Sequence, residues 1–211
     1  FREVGREAGV AAVGSNSTGV VACDVDNDGY QDLYVSAQGR IGDDLAFRAA
    51  EDDAGLREAV VDRLFVNNGD GTFRDITASA FGDAGNTRTA ASPACADVDL
   101  DGWLDIYVAN RADLDQFHLD RPSRGNLNVL YHNNGDLTFT EMARDAGVRG
   151  DQVVSWAVLF FDYDDDGDPD LWVADDGGRL RVYRNDSDQG TITFTAVERA
   201  MGIDKVGAWM G

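Results

Sequence analysis

Short apolar runs separated by polar turns follow one another along the chain, and this spacing predicts β-strands. Four strands are predicted in each of three similar stretches. The first strand is apolar on both faces, as at residues 20–23 and 156–161, and the second reads LYVSA, IYVAN or LWVAD. A third strand is predicted at residues 63–67, 129–132 and 180–184, and the fourth begins at Phe73, Phe139 or Phe194.

The three stretches repeat with a period that is typical of a propeller. Equivalent positions lie 73 and 65 residues apart, and one four-stranded unit cannot bury both of its faces alone. The sequence therefore predicts an all-β protein, a partial or half-ring β-propeller of four-stranded antiparallel blades. Pro93 lies in a first strand, which we interpret as the inner edge of its blade, because an edge tolerates the missing N–H.

The repeat pattern divides a single propeller region, residues 1–211, into five segments. Phe1 opens a segment similar to the fourth strands, so residues 1–10 are expected to form the outer strand of a preceding or closing blade. The predicted blades are residues 11–82, 83–148 and 149–203, and residues 204–211 resemble the first strand of a further blade.

Three arrangements could cover the sheet faces that three blades leave exposed. The chain could be part of a larger ring, its N-terminal strand could complete the last blade, or two half-rings could associate. We favour a fragment or a half-ring.

Two insertions interrupt the repeats between the second and third strands. Residues 42–62 have helical composition and spacing, and residues 111–126 occupy the equivalent place in the second repeat. Because the loops after the first and third strands of an antiparallel blade share one face, the insertions are expected on the opposite face. Surface loops often carry recognition, so this is the predicted partner-binding face, with packing flaps over the blade edge as the alternative.

The loop between the first and second strands has the same acidic frame in every repeat. It reads DVDNDGYQD, DVDLDGWLD or DYDDDGDPD, with aspartate at positions 1, 3, 5 and 9 and glycine at position 6. Four carboxylates so close together repel one another unless a cation lies among them. Ca²⁺ takes roughly six to eight oxygen ligands, which the side chains and the position 7 carbonyl supply. The position 6 glycines are expected to allow the sharp turn through positive φ.

An EF-hand is the main competing interpretation, because its loop also begins with D-x-D-x-D-G. Position 12 of an EF-hand loop is a bidentate glutamate, whereas here it is Val35, Val108 or Val173. The residues after position 9 also have strand character and do not begin a helix. The sequence therefore favours a cation loop within a β-hairpin.

These acidic loops, together with the segments NNGDGTFRDIT and NNGDLTFTEMARDAGV, resemble the FG-GAP or VCBS-type repeats of integrin α-subunit-like propellers. The sequence of these segments is most similar to the repeat region of secreted ASPIC/UnbV-type proteins. The resemblance implies a β-propeller with Ca²⁺ between strands A and B of a blade. It also implies a role in adhesion or in protein or glycan recognition.

The resemblance further implies which residues hold three Ca²⁺ ions, with the position 7 residue of each loop acting through its carbonyl. Each loop would supply five residues to one ion. The three sets are Asp24, Asp26, Asp28, Tyr30 and Asp32; Asp97, Asp99, Asp101, Trp103 and Asp105; and Asp162, Asp164, Asp166, Asp168 and Asp170.

The composition limits the classes of partner and the location. A formal net charge of −21 argues against nucleic acid, whose phosphates require a basic surface. No apolar run reaches the roughly 18 residues that span a bilayer, so membrane insertion is not expected. Extracellular calcium modules bind with dissociation constants of roughly 10⁻⁴ to 10⁻³ M, which favours an extracellular, cell-surface or periplasmic location.

The two cysteines, Cys23 and Cys95, stand just before the first two acidic loops in apolar surroundings. We interpret them as buried free thiols, with a bridge between neighbouring repeats as the alternative. The distance between the first strand of the first repeat and that of the second repeat decides between these interpretations.

The leading hypothesis for function is a non-catalytic, Ca²⁺-stabilised module that presents loops to a protein or glycan ligand. A propeller-based polysaccharide lyase or hydrolase is the alternative. The sequence contains no G-x-S-x-G or H-E-x-x-H motif, and His118 and His132 fit surface or structural roles better than catalysis. A lectin is a third hypothesis; exposed aromatic side chains near the insertions would be its signature, and Phe117 is the aromatic of the second insertion.

Overall fold

The computed structural model describes residues 1–11, 16–38, 61–82, 85–111, 127–150, 154–176, 179–188 and 190–204. Within these ranges, twelve strands form three four-stranded antiparallel sheets, each with its strands in chain order. The predicted all-β class and the antiparallel four-stranded units are confirmed. No closed ring is present in the part of the chain that the structure describes.

The strands agree closely with the predicted pattern. The first sheet contains β1 (Asn16–Cys23), β2 (Asp32–Gln38), β3 (Arg63–Asn67) and β4 (Phe73–Asp75), followed by a short helix, α1 (Thr77–Phe81). The second contains β5 (Ala90–Ala96), β6 (Asp105–Asn110), β7 (Val129–Asn133) and β8 (Phe139–Glu141). The third contains β9 (Ser155–Phe161), β10 (Asp170–Asp175), β11 (Leu180–Asn185) and β12 (Phe194–Ala196).

The first strand of each sheet is an edge, and these edges lie beside one another, β1 next to β5 and β5 next to β9. Gly19 shows how close the backbones come, because a Cβ built there would lie 2.9 Å from Pro93 Cδ. Pro93 pairs with Val108 of β6 and has no strand on its other side within the sheet. The predicted edge position of Pro93 is therefore confirmed.

Two apolar cores lie between neighbouring sheets. Tyr34 and Ile106 belong to the core between the first and second sheets, and Phe81 of α1 closes it. Tyr107 and Leu171 belong to the core between the second and third sheets. Each sheet is thus buried against its neighbour, as blades of a repeat architecture are.

The face of β9 that points away from the second sheet is apolar and exposed. Leu159 and Phe161 of β9 are 56% and 40% exposed, whereas Val158 and Phe160 of the same strand pack against the second core. This is the face on which a further blade or a second half-ring is expected to pack.

The N-terminal residues do not form the outer strand predicted for residues 1–10. They contain a turn at residues 5–9, and the N–H of Phe73 donates to the carbonyl of Ala8 at 2.8 Å. The turn after β8 makes the same contact with the third sheet, where the N–H of Phe194 donates to the carbonyl of Ala146 at 3.0 Å. A fourth strand requires a third strand beside it, and no described strand pairs with residues 1–11.

The predicted helical insertion at residues 42–62 lies outside the described residues except for its last two, and the insertion at residues 111–126 except for its first. Strands β2 and β6 run away from the acidic loops, so both insertions leave from the opposite end of their sheets. None of the described helices has the length and apolar character needed to cross a membrane.

Buried hydrogen bonds begin at this insertion end around Asp62, which is 1% exposed. Its carboxylate accepts from Tyr34 Oη–H at 2.8 Å, from the Ala37 N–H at 2.7 Å and from Asn86 Nδ2–H at 2.7 Å. Asn86 Nδ2–H also donates to Asn110 Oδ1 at 3.0 Å, which links the first sheet to the second. Burial raises the pKa of Asp62 to about 7, although these donors partly offset the loss of hydration.

The same chain of hydrogen bonds continues into the third sheet. The N–H of Asn110 donates to Asn128 Oδ1 at 2.8 Å, and Asn128 Nδ2–H donates to Ser155 Oγ at 3.1 Å. Ser155 Oγ–H donates to Asp175 Oδ1 at 2.8 Å, and Asp175 forms a buried ion pair with Arg181 at 2.6 Å. One polar layer therefore connects all three sheets at the end that carries the insertions.

Replacing Asp62 by asparagine is expected to remove a pH-dependent loss of stability. The pKa of Asp62 is about 7 in the folded protein, against 3.8 for an ordinary aspartate. The stability that its protonated form contributes is therefore full below pH 3.8 and is lost as the pH rises through 7. Between these values, wild type should lose about 1.4 kcal/mol of unfolding free energy per pH unit relative to Asp62→Asn. Asn128 occupies the equivalent place before β7, so an amide fits this position.

Urea unfolding of both proteins at about pH 5 and about pH 8, in excess calcium, measures this difference. The same pH dependence in wild type and variant would contradict the assignment of Asp62.

Candidate metal centres

Each acidic loop is folded by hydrogen bonds to its own carboxylates. In the first loop, Asp24 accepts the N–H groups of Asp28 at 3.1 Å and Gly29 at 2.9 Å. Asp28 Oδ1 in turn accepts the N–H of Tyr30 at 2.9 Å. The second and third loops repeat all three bonds. The loop conformation is therefore a property of the aspartate spacing.

Two positions of each loop have left-handed backbone. The position 6 glycines have φ of 90°, 94° and 99°, which confirms the predicted sharp turn at Gly29, Gly102 and Gly167. Position 4 also has positive φ, 56°, 57° and 60°, although its residues are Asn27, Leu100 and Asp165. Leu100 is 63% exposed, so packing does not hold it in this conformation. The bonds from the N–H groups of Asp101 and Gly102 to Asp97 hold it there, at a cost of about 1–2 kcal/mol.

The aspartates at positions 1, 3 and 9 converge in every loop. Their ligand oxygens lie within 4.8 Å of one another in each set: Asp24, Asp26 and Asp32; Asp97, Asp99 and Asp105; Asp162, Asp164 and Asp170. The structure therefore brings together three of the four aspartates predicted for each site. The position 5 aspartates and the position 7 carbonyls stay predictions as ligands.

The position 3 aspartates provide a test of whether a cation fits. Asp26 Oδ1 and Asp99 Oδ1 are buried and have no hydrogen-bond partner among the described residues. Loss of hydration and then the neighbouring carboxylate, Asp28 or Asp101, raise the pKa of both groups. A buried oxygen without a partner is costly, and a hard cation with oxygen ligands would satisfy it. The residues of these clusters fit Ca²⁺.

The position 9 aspartates join the loops to the sheets. Asp32 is 1% exposed, and its Oδ2 accepts the N–H of Val25 at 2.9 Å. Its Oδ1 accepts the N–H of Asn67, the last residue of β3, at 2.8 Å. Asp105 and Asp170 make the same pairs of bonds in the other sheets. One carboxylate thus holds the loop, the second strand and the third strand together.

The asparagines that end β7 and β11 connect one loop to the next, and sequence reasoning missed this role. Asn133 Nδ2–H donates to the carbonyl of Val25, in the loop of the preceding blade, at 2.8 Å. Asn185 Nδ2–H repeats the contact with the carbonyl of Val98 at 2.7 Å. In the sequence, the first asparagine of the NNG segments stands out only as part of the repeat segments that carry the family resemblance. Its fixed place relative to the turn, shared by Asn67, was the available signal.

The position 7 side chains differ between the loops. Tyr30 and Trp103 cover the hairpin glycines Gly69 and Gly135, where an added Cβ would lie 2.9 Å from either ring. The third loop has Asp168 instead, and loss of hydration followed by the charge of Asp166 raises its pKa to about 7. The third loop therefore carries an additional carboxylate where the others carry a packed aromatic ring.

Cys23 and Cys95 form a disulfide, so the interpretation as free thiols is wrong. The two first strands lie side by side, and both cysteines stand at the ends that enter the acidic loops. Their Cα atoms are 6.6 Å apart, within the range that a disulfide spans. The bond joins the first two blades directly beside their candidate metal centres.

The repeat assignment is supported by comparison with protein families. Residues 43–108 match the FG-GAP-like repeat family. The matched stretch contains β3 to β5, the second acidic loop and most of β6. The resemblance to FG-GAP or VCBS-type repeats is therefore confirmed for this chain.

No curated protein matches the sequence. A solved structure described as the structural basis of specific recognition of non-reducing terminal N-acetylglucosamine by an Agrocybe aegerita lectin aligns with a TM-score of 0.43 and 18% identity. The alignment covers 83% of this chain and 36% of the lectin chain. This chain thus spans little more than a third of that protein, and a likeness at this level carries no argument about function.

Replacing Asn133 by alanine is expected to lower the unfolding free energy by about 1–3 kcal/mol, because it leaves the buried carbonyl of Val25 and the half-buried carbonyl of Leu104 without this donor. Asn134→Ala is the matched control, since the neighbouring side chain is exposed and bonds within its own hairpin, to Thr138 and Thr140. Urea unfolding in calcium measures both variants. Equal losses in the two variants would contradict a role for Asn133 in joining the blades.

Proposed function

We propose that this chain is a calcium-binding, non-catalytic propeller module that serves adhesion or protein or glycan recognition. The observation that carries the proposal is the convergence of three aspartates in each of three equivalent loops, within 4.8 Å. The carboxylates of such a cluster repel one another in the absence of a cation. The unpartnered buried oxygens of Asp26 and Asp99 support a direct ligand role for the position 3 aspartates.

The proposed role of calcium is to stabilise the blades. An ion held by positions 1, 3 and 9 ties the end of a first strand to the start of the second strand. The position 9 aspartate is already bonded to the third strand, and the asparagine beside it reaches the preceding loop, as Asp105 and Asn133 show. Calcium binding would therefore stabilise both the hairpin and the contact between blades.

The proposed location is extracellular, at the cell surface or periplasmic. The disulfide between Cys23 and Cys95 supports it, because structural disulfides persist in oxidising compartments. Weakly binding calcium loops also require the higher calcium concentrations found outside the cytosol.

The end of the sheets that carries the insertions is the proposed ligand side, and one surface there favours a glycan. The guanidinium carbon of Arg111 lies 4.8 Å from the ring centroid of Trp156, which is 48% exposed. Arg111 Nε and Nη2 are buried, so Arg111 supports the Trp156 ring from one side. The exposed part of the Trp156 ring suits stacking against the apolar face of a sugar ring. A lectin-type activity is therefore the second candidate.

The lyase or hydrolase alternative is tested by turnover of acidic polysaccharides. Our proposal predicts no turnover, because the function is assigned to binding.

Chelation of calcium is expected to lower the melting temperature sharply, and added calcium should restore it. At free calcium about a hundredfold above the dissociation constant, each ion adds about 2.7 kcal/mol of stability. In calcium, the Asp26→Asn variant should lose about 2.7 kcal/mol of unfolding free energy, because the substitution weakens one of the three proposed sites. Asp145→Asn is the control, as it removes the same charge from an exposed turn outside the loops. A melt that EDTA leaves unchanged would contradict the proposal.

Trp156→Ala is expected to weaken glycan binding at least about tenfold, because the aromatic face is lost. Leu159→Ala is the matched control, since this exposed residue lies on the other face of β9. A glycan array in calcium, followed by titration of the best glycan, compares wild type with both variants. Equal binding by wild type and Trp156→Ala would rule out this surface as the glycan site.

A further inference from the structure

We propose that the second acidic loop, unlike the first and third, also accepts a divalent transition-metal ion, with His132 as one of its ligands. The inference rests on the proposed function in one respect, that the acidic loops are cation sites. It goes further by assigning the second loop a different selectivity.

His132 lies on β7, directly beside the second loop. One of its ring nitrogens and carboxylate oxygens of Asp99 and Asp101 lie within 4.8 Å of one another. His132 Nδ1 is also 3.0 Å from Oδ1 of Asp105, whose carboxylate is fully buried. Metal-binding histidines are commonly oriented by such a carboxylate, which fixes the ring. His132 is therefore held in place beside the acidic cluster.

A second observation at the same place points to a ligand. Asp99 is only 9% exposed, and its buried Oδ1 has no hydrogen-bond partner among the described residues. This oxygen belongs to the group that includes His132, so the cluster contains an available carboxylate as well as an imidazole. Zinc and related ions take imidazole together with carboxylate, whereas calcium takes oxygen ligands.

The other two blades have no imidazole at this place. The residue before the last asparagine of the third strand is Val66 in β3 and Arg184 in β11. Valine offers no ligand atom, and Arg184 is a cation that pairs with Asp186 at 2.7 Å. The first and third loops are thus internal comparisons for an oxygen-only site, and valine is a substitution that this fold already accepts.

Titration calorimetry with Zn²⁺ in calcium-containing buffer tests the inference. Wild type should bind one equivalent of zinc at the second loop, and His132→Val should bind it at least about tenfold more weakly. His118→Ala is the control, because His118 is the other histidine of the chain, and its zinc affinity should equal that of wild type. In protein labelled with ¹⁵N-histidine, zinc should shift the ring nitrogens of His132.

Equal zinc affinity of wild type and His132→Val, or a zinc-induced shift confined to His118, would overturn the inference. The calcium-induced rise in melting temperature, measured on the same three proteins, separates this failure from that of the proposed function. If calcium raises the melting temperature but zinc binding does not depend on His132, only the proposed selectivity of the second loop is overturned. Absence of any calcium response overturns the proposed function itself.

Discussion

A buried carboxylate at the start of every second strand determines how each blade is built. Asp105 accepts the N–H of Val98 in its own loop and the N–H of Asn133 at the end of β7. The side chain of Asn133 then reaches the loop of the preceding blade. A carboxylate that is fully buried must be bonded on both oxygens, so the loop, the hairpin and the neighbouring blade are fixed together.

The two ends of the sheets are stabilised in different ways. At the loop end lie the acidic clusters that we propose as cation sites, and the disulfide joins the first two blades beside them. At the insertion end, hydrogen bonds from Asp62 through Asn110 to Asp175 connect the sheets without a cation. In the proposed function, this division leaves the insertion end free for ligand recognition while calcium stabilises the other.

Local patterns predicted most of the fold, because strand alternation, turn residues and the acidic frame are each encoded within a few neighbouring residues. The four strands per repeat, the phenylalanines that open β4, β8 and β12, and the edge position of Pro93 are correct. The disulfide and the link from Asn133 to Val25 depend on how close distant segments come, which no local pattern reports. The strand expected at residues 1–10 fails for the same reason, since it requires a partner strand.

The site was predictable to a similar extent. The spacing of aspartates identified the three loops, but it could not show which carboxylates converge: positions 1, 3 and 9 in all three loops, and position 5 with His132 in the second. The central claim is that each loop holds one cation. Native mass spectrometry of the metal-free chain, titrated with calcium as its only divalent ion, counts them directly. Our account predicts three bound ions per chain, and a chain that binds none would contradict it.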